Sequence, residues 1–507
     1  MNAYKSHIVR LLLMALLVLP AMTSCYDYGS EVVVSQDAGS VSYIKLNISV
    51  RTSNTVTRAL QPLGGENGDG LEAGYVRENQ VDGVTLILYR ADAGINAAGD
   101  TPIDFVRYFE TSLVDNSRVD QGTTNNTRFD EAVYTTGERL LNKEDAILIN
   151  AKYHAIVVAN TNLMGVFHKG STLAEVRDFL VDGSMLYSGS GKMTDANKFI
   201  MASEADYVID FPGTTPTTPT NKTEGKLYSF NNIHIERLAA RVDFWADGSE
   251  GYQTKDKNDV DYPHPGYRYK VGNTADRFVL VNVVPFNVSR GSEYLIKRTT
   301  HETTPYLDAE DETNWVVDAY INNSNTPKSV PTYWDYMESR LSSISSIVTS
   351  TDFSSLPYNV SMASRQAAGN HYSIKGADNN NYDNMIICYT SENTLNTTSL
   401  LYYNATGLAF EGYYYPGDDA NQGIRCVYYH YLRHQGENDA ANSYQALKTD
   451  ELDQETTCGT TKAMNYGIVR NNIYRVSIES INPLDGTIKI KIEEEKWRHV
   501  DNPTIYI

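Results

Sequence analysis

Cysteine is scarce in this chain, with four in 507 residues. Cys25 stands apart near the start, and the other three are Cys388, Cys426 and Cys458. An odd number of remaining cysteines argues against a disulfide framework and leaves open whether two of the three pair. No CxxC spacing occurs, which argues against a redox or zinc site of that type.

Motifs of catalysis and cofactor binding are also missing. The sequence contains no HExxH, no Cys/His cluster and no GxSxG. Residues 189–192 read Gly-Ser-Gly-Lys, but Leu186 and Met193 occupy the first glycine and the Ser/Thr positions of a P-loop, so this segment is predicted to be a turn. His430 and His434 lie in a Tyr-rich predicted strand and are expected at the surface. We therefore predict a protein that is not an enzyme and needs no cofactor or metal.

Two acidic segments, 256–261 and 308–312, have oxygen ligands that suit calcium. Neither has the glycine or the terminal glutamate of an EF-hand loop at the required position. Both are predicted to be solvated loops, and calcium binding stays open.

Basic residues are too few to balance the acidic ones: Lys and Arg total 43 against 63 Asp and Glu, a formal net charge of −20. An acidic surface repels phosphate backbones, which argues against a nucleic-acid partner. Long apolar stripes of helical period are scarce as well. Residues 172–181 form one predicted short helix, where Thr172 and Glu175 match a capping box.

Tyrosine, in contrast, is abundant, with 37 Tyr against 13 Phe. Tyr and Thr favour strands with one face toward water. Gly, Asn, Asp, Ser and Thr separate the apolar runs, as in turn-rich β proteins. The length suits two large domains. The composition therefore predicts an all-β protein.

Residues 1–24 match a signal peptide, with Lys5 and Arg10 before an apolar run that is too short to span a bilayer. The next segment, Met22-Thr-Ser-Cys25, resembles a bacterial lipobox, in which the cysteine is acylated after cleavage. An ordinary signal peptide with a chance cysteine is the alternative. No second hydrophobic span follows, so the remainder is expected to be exported and either soluble or tethered to the surface.

Both ends of the exported chain carry strands of period 2. In the first strand, apolar residues alternate with polar ones at Ile44, Leu46, Ile48 and Val50. Near the end, within residues 487–507, Ile488, Ile490 and Ile492 alternate with polar residues in 487–493, Trp497 follows, and the chain stops on the alternating strand 504–507 with Ile505 and Ile507. Between them, Arg58 and Ala59 lie in a polar, Gly-rich loop that a protease could reach. A strand of this kind at the end of a chain must pair with something.

Several of these segments together resemble the fimbrillin family of Bacteroidota, the type V pilins, and the Mfa-like major fimbrial subunits in particular. The segments that carry the resemblance are residues 84–89, 153–160, 233–242 and 469–478, and the ending around Trp497. The run Val-Arg-Asn-Asn-Ile-Tyr at 469–474 is the sharpest of them.

The resemblance implies two β-sandwich domains of Greek-key, transthyretin-like type with a few short helices. It divides the chain into a lipoprotein signal peptide (1–24), a propeptide with a removable first strand (25–58), an N-terminal domain (59–250) and a C-terminal domain (251–507). Lipidation at Cys25 would hold the precursor at the outer membrane. An Arg-specific surface protease would then cut between Arg58 and Ala59, with Arg51 as the second choice.

The implied function is that of a shaft subunit of an adhesive fimbria, which polymerises by donor-strand exchange. Its partners would be other copies of itself and accessory anchor and tip pilins, and the product would be an extracellular fimbrium. Residues 487–507 match the donor segment, although the sequence does not say which of its two strands inserts. The alternatives are a glycan-binding surface lipoprotein, with tyrosines as sugar platforms, and an anchor or tip pilin. The adhesion target stays open.

Overall fold

Strands dominate the computed structural model of this chain. The structure describes residues 44–52, 71–72, 74–90, 97–119, 128–141, 152–181, 187–188, 198–203, 207–210, 226–286, 288, 293–299, 316–319, 360–368, 371–376, 378–394, 405–432, 443–446, 466–482 and 487–497. The described residues form 28 strands and only two short α-helices. The predicted all-β class is confirmed.

The first half of the chain supplies one mixed sheet of 11 described strands. Its members are β1 (Ile44–Thr52), β3 (Gly74–Tyr75), β4 (Gly83–Tyr89), β5 (Ile103–Glu110), β6 (Ser112–Val119), β7 (Arg128–Thr135), β8 (Arg139–Leu141), β9 (Lys152–Ala159), β13 (Met201–Ser203), β14 (Tyr207–Asp210) and β15 (Lys226–Arg237). The main path runs β3, β7, β1, β15, β13, β9, β4 and β5, so the first strand of the chain lies inside the sheet.

The chain from Ala240 onward, together with a short strand at Leu71–Glu72, forms two sheets that share one apolar core, a β-sandwich. The seven-stranded sheet contains β2 (Leu71–Glu72), β16 (Ala240–Trp245), β22 (Tyr372–Lys375), β23 (Asn381–Thr390), β26 (Ser443–Ala446), β27 (Asn472–Asn482) and β28 (Thr487–Trp497). The six-stranded sheet contains β17 (Tyr252–Lys255), β18 (Asp261–Lys270), β19 (Arg277–Phe286), β21 (Val360–Ser361), β24 (Gly407–Tyr415) and β25 (Ile424–Tyr431). The six-stranded sheet contributes Phe278, Phe410 and Tyr428 to this core, and the seven-stranded sheet contributes Phe244 and Val476.

The chain passes from the first sheet to the sandwich between β15 and β16, through Leu238 and Ala239. Strand β15 ends at Arg237 and strand β16 begins at Ala240, so residues 233–244 are divided between the two sheets. All six residues of β16 are buried, although the polar residues Arg241 and Asp243 alternate with apolar ones in it. The domain boundary at residue 250 stays a prediction. Trp245 and Ile473 of the sandwich also contact the core of the first sheet.

The two α-helices are short. Helix α1 (Leu173–Arg177) has the predicted capping box, in which Thr172 Oγ1 accepts from the N–H of Glu175 and the Glu175 carboxylate accepts from the N–H of Thr172. The helix ends earlier than predicted, because the chain continues into strand β10 (Leu180–Val181), which pairs with β20 (Glu293–Tyr294). The second helix, α2, spans Met362–Ala368. Among the described strands, β11 (Tyr187–Ser188) and β12 (Lys198–Phe199) pair only with each other.

Neither described helix has the length or the apolar run that a membrane crossing requires.

Candidate functional site

Strand β1 occupies a slot between strands that come much later in the chain. It pairs in parallel with β15, from Ile44 opposite Lys226 to Thr52 opposite Ile235. Its other edge pairs antiparallel with β7 and β8. Both edges of β1 are therefore hydrogen-bonded to neighbours. We call this position, bounded by β15, β7 and β8, the β1 slot.

The β1 slot is apolar where its side chains are described. Ile48 and Val50 are 0% exposed and belong to the same core as Tyr134 and Ile233. Full burial of each aliphatic side chain stabilises the fold by about 1.5–3 kcal/mol. The alternation read from the sequence is thus confirmed at Ile48 and Val50, whereas the side chains of Ile44 and Leu46 lie outside the described residues.

The two arginines proposed for processing differ in position. Arg51 lies within β1, opposite His234 on one side and Val133 on the other. Proteases bind an extended backbone whose hydrogen-bonding groups are available, so a doubly paired strand is a poor substrate. Arg58, Ala59 and the lipidation residue Cys25 lie outside the described residues, and their roles remain predictions.

Strand β28 is engaged in its own sheet. One edge pairs with β27 from Thr487 to Lys496, and the other pairs with β26 at residues 488–491 and with β2 at Lys496 and Trp497. Ile488 is 0% exposed. The sequence suggested a free C-terminal strand, but the part up to Trp497 is not free. A donor role for Ile488, Ile490, Ile492 and Trp497 remains a prediction, and it would require β28 to leave β27. Ile505 and Ile507 lie outside the described residues.

A cluster of buried charges joins the first sheet to the sandwich. Arg241 binds the carboxylate of Asp243 through two bonds, at 2.9 and 2.6 Å, and its Nη1 lies 3.1 Å from Oε2 of Glu78. Tyr389 donates a hydrogen bond to Glu78, and Arg237 donates to the backbone oxygen of Glu78 at 2.9 Å. All five residues are buried. We call this group the Glu78 cluster.

In the Glu78 cluster, neighbouring charges outweigh the effect of burial on the pKa values of Glu78 and Arg241. Burial by itself raises the pKa of Glu78, but Arg241 and Arg77 outweigh it and hold the pKa below its ordinary value. Burial likewise lowers the pKa of Arg241, yet Asp243 holds it above the ordinary value. For Arg237, burial dominates and lowers the pKa to about 10. Arg241 therefore supports the burial of both Glu78 and Asp243, while Arg77 and Arg237 also lie beside Glu78.

The segment at 469–474, the sharpest part of the family resemblance, lies at this same junction. Asn471 has a left-handed backbone (φ 60°), which Asn tolerates well, and its N–H donates to the oxygen of Ala239 at 2.8 Å. Its side-chain oxygen accepts from Nη1 of Arg237 at 3.1 Å. The segment thus holds the crossing between β15 and β16. Sequence reasoning missed this role, because the two Asn residues in this strand-like run give no sign of their partners.

A second buried group, the Glu293 cluster, lies beside the β10–β20 pair. Arg470 binds the carboxylate of Glu392 through Nε at 2.7 Å and Nη2 at 2.8 Å. The N–H of Glu392 donates to Glu293, whose Oε2 lies 4.0 Å from Nη2 of Arg470. Lys297 forms a 2.7 Å ion pair with Glu236 at the end of β15. Three buried carboxyl groups therefore share two cations.

Among these three carboxyl groups, Glu293 lies farthest from a cation, at 4.0 Å from Arg470. Burial raises its pKa well above the ordinary value; Arg470 opposes this rise, and Glu392 and Asp318 add to it. The folded chain therefore holds this proton to a higher pH than the unfolded chain does. Stability is greatest below about pH 4.3, the ordinary pKa of Glu. It falls as pH rises toward the raised pKa, by at most about 1.4 kcal/mol per pH unit.

Glu293→Gln is expected to remove this part of the pH dependence, because Gln resembles the protonated acid. Urea unfolding between pH 5 and 9 should show the variant gaining stability over the wild type as pH rises. Glu110→Gln, at an exposed position, is the control and should show no such gain. Parallel pH profiles for Glu293→Gln and the wild type would contradict the assignment.

The remaining sequence-predicted sites have structural roles where they are described. Asp256 closes its own loop by accepting from the N–H groups of Asn258 and Val260, at 2.7 and 3.0 Å. His430 is buried in β25, at 4% exposure, so the expected surface position was wrong: both sheet faces are covered here. Cys388 is a buried free thiol and Cys426 a half-buried one. Among the described residues, no three metal-binding side chains come together.

No protein-family model and no curated protein matches this sequence. Solved structures of fimbrial proteins are similar to it. The C-terminally truncated tip fimbrial protein Mfa3 from Porphyromonas gingivalis has 10% identity and a TM-score of 0.37, and the alignment covers 89% of this chain and 100% of that one. A fimbrilin from Porphyromonas gingivalis W83 has 12% identity and a TM-score of 0.34, with 92% and 100% covered.

A fimbrial assembly protein from Parabacteroides distasonis has 9% identity and a TM-score of 0.30, with 89% of this chain and 99% of that one covered. These are fimbrial proteins of Bacteroidota, the kind of protein that the sequence resembles. Since all three TM-scores lie below 0.5, the function has to be argued from the residues of this chain.

Proposed function

We propose that this chain is a structural subunit of a surface fimbria that polymerises by donor-strand exchange. In this proposal the precursor is lipidated at Cys25, reaches the outer membrane and is cut after Arg58 by an Arg-specific surface protease. Other copies of the chain then add head to tail, with accessory anchor and tip pilins at the filament ends. The subunit has a shaft role, supports adhesion and performs no catalysis.

One observation carries the proposal: β1 is a single strand that fills a slot between β15 and β7/β8. The strand that pairs with β1 in parallel, β15, lies more than 170 residues later in the chain. Cleavage after Arg58 would cut the connection between β1 and the rest of the sheet. Its departure would leave two unpaired edges and the apolar surface that Ile48 and Val50 now cover. Such a slot binds an alternating apolar strand, as in the donor-strand complementation of pilins.

The donor strand in this proposal lies within residues 498–507. Strand β28 is paired on both edges, so its insertion into another subunit would dismantle the sandwich that it helps to build. The residues after Trp497 include the alternating run Thr504-Ile505-Tyr506-Ile507. A head-to-tail contact that does not close on itself produces an open filament.

Limited trypsin treatment of the purified precursor is expected to convert it into SDS-resistant ladders that begin at Ala59. Arg58→Ala should block the conversion, whereas Arg51→Ala should leave it intact, because Arg51 lies in a paired strand. A chain that ends at Trp497 should be cut but remain monomeric, while it keeps the whole of β28. Sequencing of the ladder subunits and electrophoresis read out both steps.

Persistent monomers after complete cleavage at Arg58 would contradict the proposal. An uncut chain that still starts at Cys25 in sheared filaments would instead indicate an anchor subunit.

Glycan binding is a second candidate function, favoured by one observation. On the outer side of the six-stranded sheet, the rings of His264 and Tyr413 stack at 4.0 Å with an 8° angle between their planes. His264 is exposed and Tyr413 half-buried. Arg425 and Glu411, paired at 2.6 Å, are also on this sheet. A chain that stays monomeric after trypsin treatment but is retained by a polysaccharide column through Tyr413 would favour this function.

A further inference from the structure

The backbone of β1 meets an unusual partner at its centre, Thr136. This residue follows the last residue of β7 and precedes β8, opposite Ile48. The N–H of Thr136 donates to the oxygen of Ile48 at 3.0 Å. In return, the N–H of Ile48 donates to Thr136 Oγ1 at 3.0 Å. A continuous antiparallel ladder would use a backbone carbonyl for the second bond, so the hydroxyl stands in its place.

The hydroxyl of Thr136 can only accept from the strand in the slot. Its single hydrogen is already donated to the oxygen of Gly137 at 2.9 Å. Gly137 has a left-handed backbone (φ 62°), which turns the chain from β7 toward β8 and brings this oxygen within reach. Thr136 is 4% exposed, so water cannot replace a missing donor without cost. The slot therefore requires a backbone N–H at the position of Ile48.

We propose that Thr136 sets the register of any strand that fills the β1 slot. The inference rests on the proposed function and specifies how residues 498–507 of a second copy would insert, in the direction that β1 now has. The slot needs apolar side chains two residues apart, as at Ile48 and Val50. Residues 498–507 offer two such pairs, Pro503 with Ile505 and Ile505 with Ile507.

Thr136 discriminates between these two registers. Proline has no N–H, so Pro503 at the position of Ile48 would leave the hydroxyl of Thr136 without a donor. In the other register Ile505 takes the position of Ile48 and donates its N–H, and Ile507 takes that of Val50. Tyr506 then lies opposite Thr135, where Ser49 lies now.

Disulfide trapping measures this register. The pair Ser49 and Thr135 lies between the hydrogen-bonded positions, where Cα atoms of antiparallel strands approach within disulfide range. A chain with Thr135→Cys is mixed with a chain carrying Tyr506→Cys, treated with trypsin, oxidised and analysed on a non-reducing gel. Thr504→Cys reports the register with Pro503 at the position of Ile48, because Thr504 would then lie opposite Thr135, and Ile505→Cys and Ile507→Cys are the controls for a shift by one residue. Single-cysteine chains control for Cys388, Cys426 and Cys458.

The expected result is about tenfold more intersubunit disulfide at position 506 than at 504, 505 or 507. Thr136→Val, which keeps the shape but loses the hydroxyl, should reduce this preference, and Thr136→Ser should preserve it. Filaments that cross-link mainly at 504, 505 or 507, or an unchanged pattern in Thr136→Val, would overturn the inference alone. A wild-type chain that forms no filament after cleavage would overturn the proposed function as well.

Discussion

Arg241→Met is expected to destabilise the protein by about 3–5 kcal/mol. Arg241 is 0% exposed and is the cation that Glu78 and Asp243 share. Its removal leaves Asp243 without the cation that it binds and Glu78 with only Arg77 and Arg237, so the burial of both acidic groups becomes more costly. Because Glu78 follows β3 of the first sheet and Asp243 lies in β16 of the sandwich, the damage should fall on the junction between them. Urea unfolding and the rate of limited proteolysis measure the effect.

Arg90→Met is the matched control for this prediction. Arg90 also pairs with a carboxylate, Asp104, but its side chain is 45% exposed. Exposed ion pairs contribute about 0–1 kcal/mol, so this variant should be close to the wild type. A second control combines Arg241→Met with Asp243→Asn, which should restore part of the lost stability, since Asp243 then carries no uncompensated charge while Glu78 keeps Arg77 and Arg237 beside it. Equal unfolding midpoints for Arg241→Met and Arg90→Met would show that the Glu78 cluster does not hold the junction.

Local signals in the sequence predicted local structure well. The alternation at Ile48 and Val50 gave the correct inward face of β1, and Thr172 with Glu175 gave the start of α1. Both depend on residues within a few positions of each other, where backbone geometry and side-chain spacing are directly related. The all-β class followed for the same reason.

Partners that are distant in sequence could not be predicted. Nothing in residues 44–52 indicates a parallel pairing with residues 226–235, because strand pairing depends on which edges the whole fold leaves available. The alternation in residues 487–497 suggested a donor strand, but a strand that completes its own sheet has the same pattern. Likewise, Arg241 and Asp243 occupy alternate positions that suggest a solvated face, and only the fold shows that the first sheet covers it.

Ile48→Ala is expected to destabilise the precursor by about 2–5 kcal/mol without weakening the filament. In the precursor Ile48 is 0% exposed, so its truncation leaves a cavity in the core. In the proposed mechanism β1 is discarded on cleavage, and the filament no longer contains this residue. Assembly after trypsin treatment should also become faster, because a less tightly held strand leaves the slot more readily. Urea unfolding of the precursor and the temperature at which SDS dissolves the filament measure the two states separately.

Ile233→Ala provides the comparison that makes this prediction decisive. Ile233 has the same side chain, lies on β15 opposite Val50 and is 2% exposed, so its truncation removes an equivalent contact from the other wall of the slot. Because β15 remains after cleavage, this variant should weaken precursor and filament alike. If Ile48→Ala lowers the dissolution temperature of the filament as much as Ile233→Ala does, β1 stays in the assembled subunit, and exchange at the β1 slot is excluded. A loss confined to the precursor is expected only if the strand that fills the slot changes during assembly.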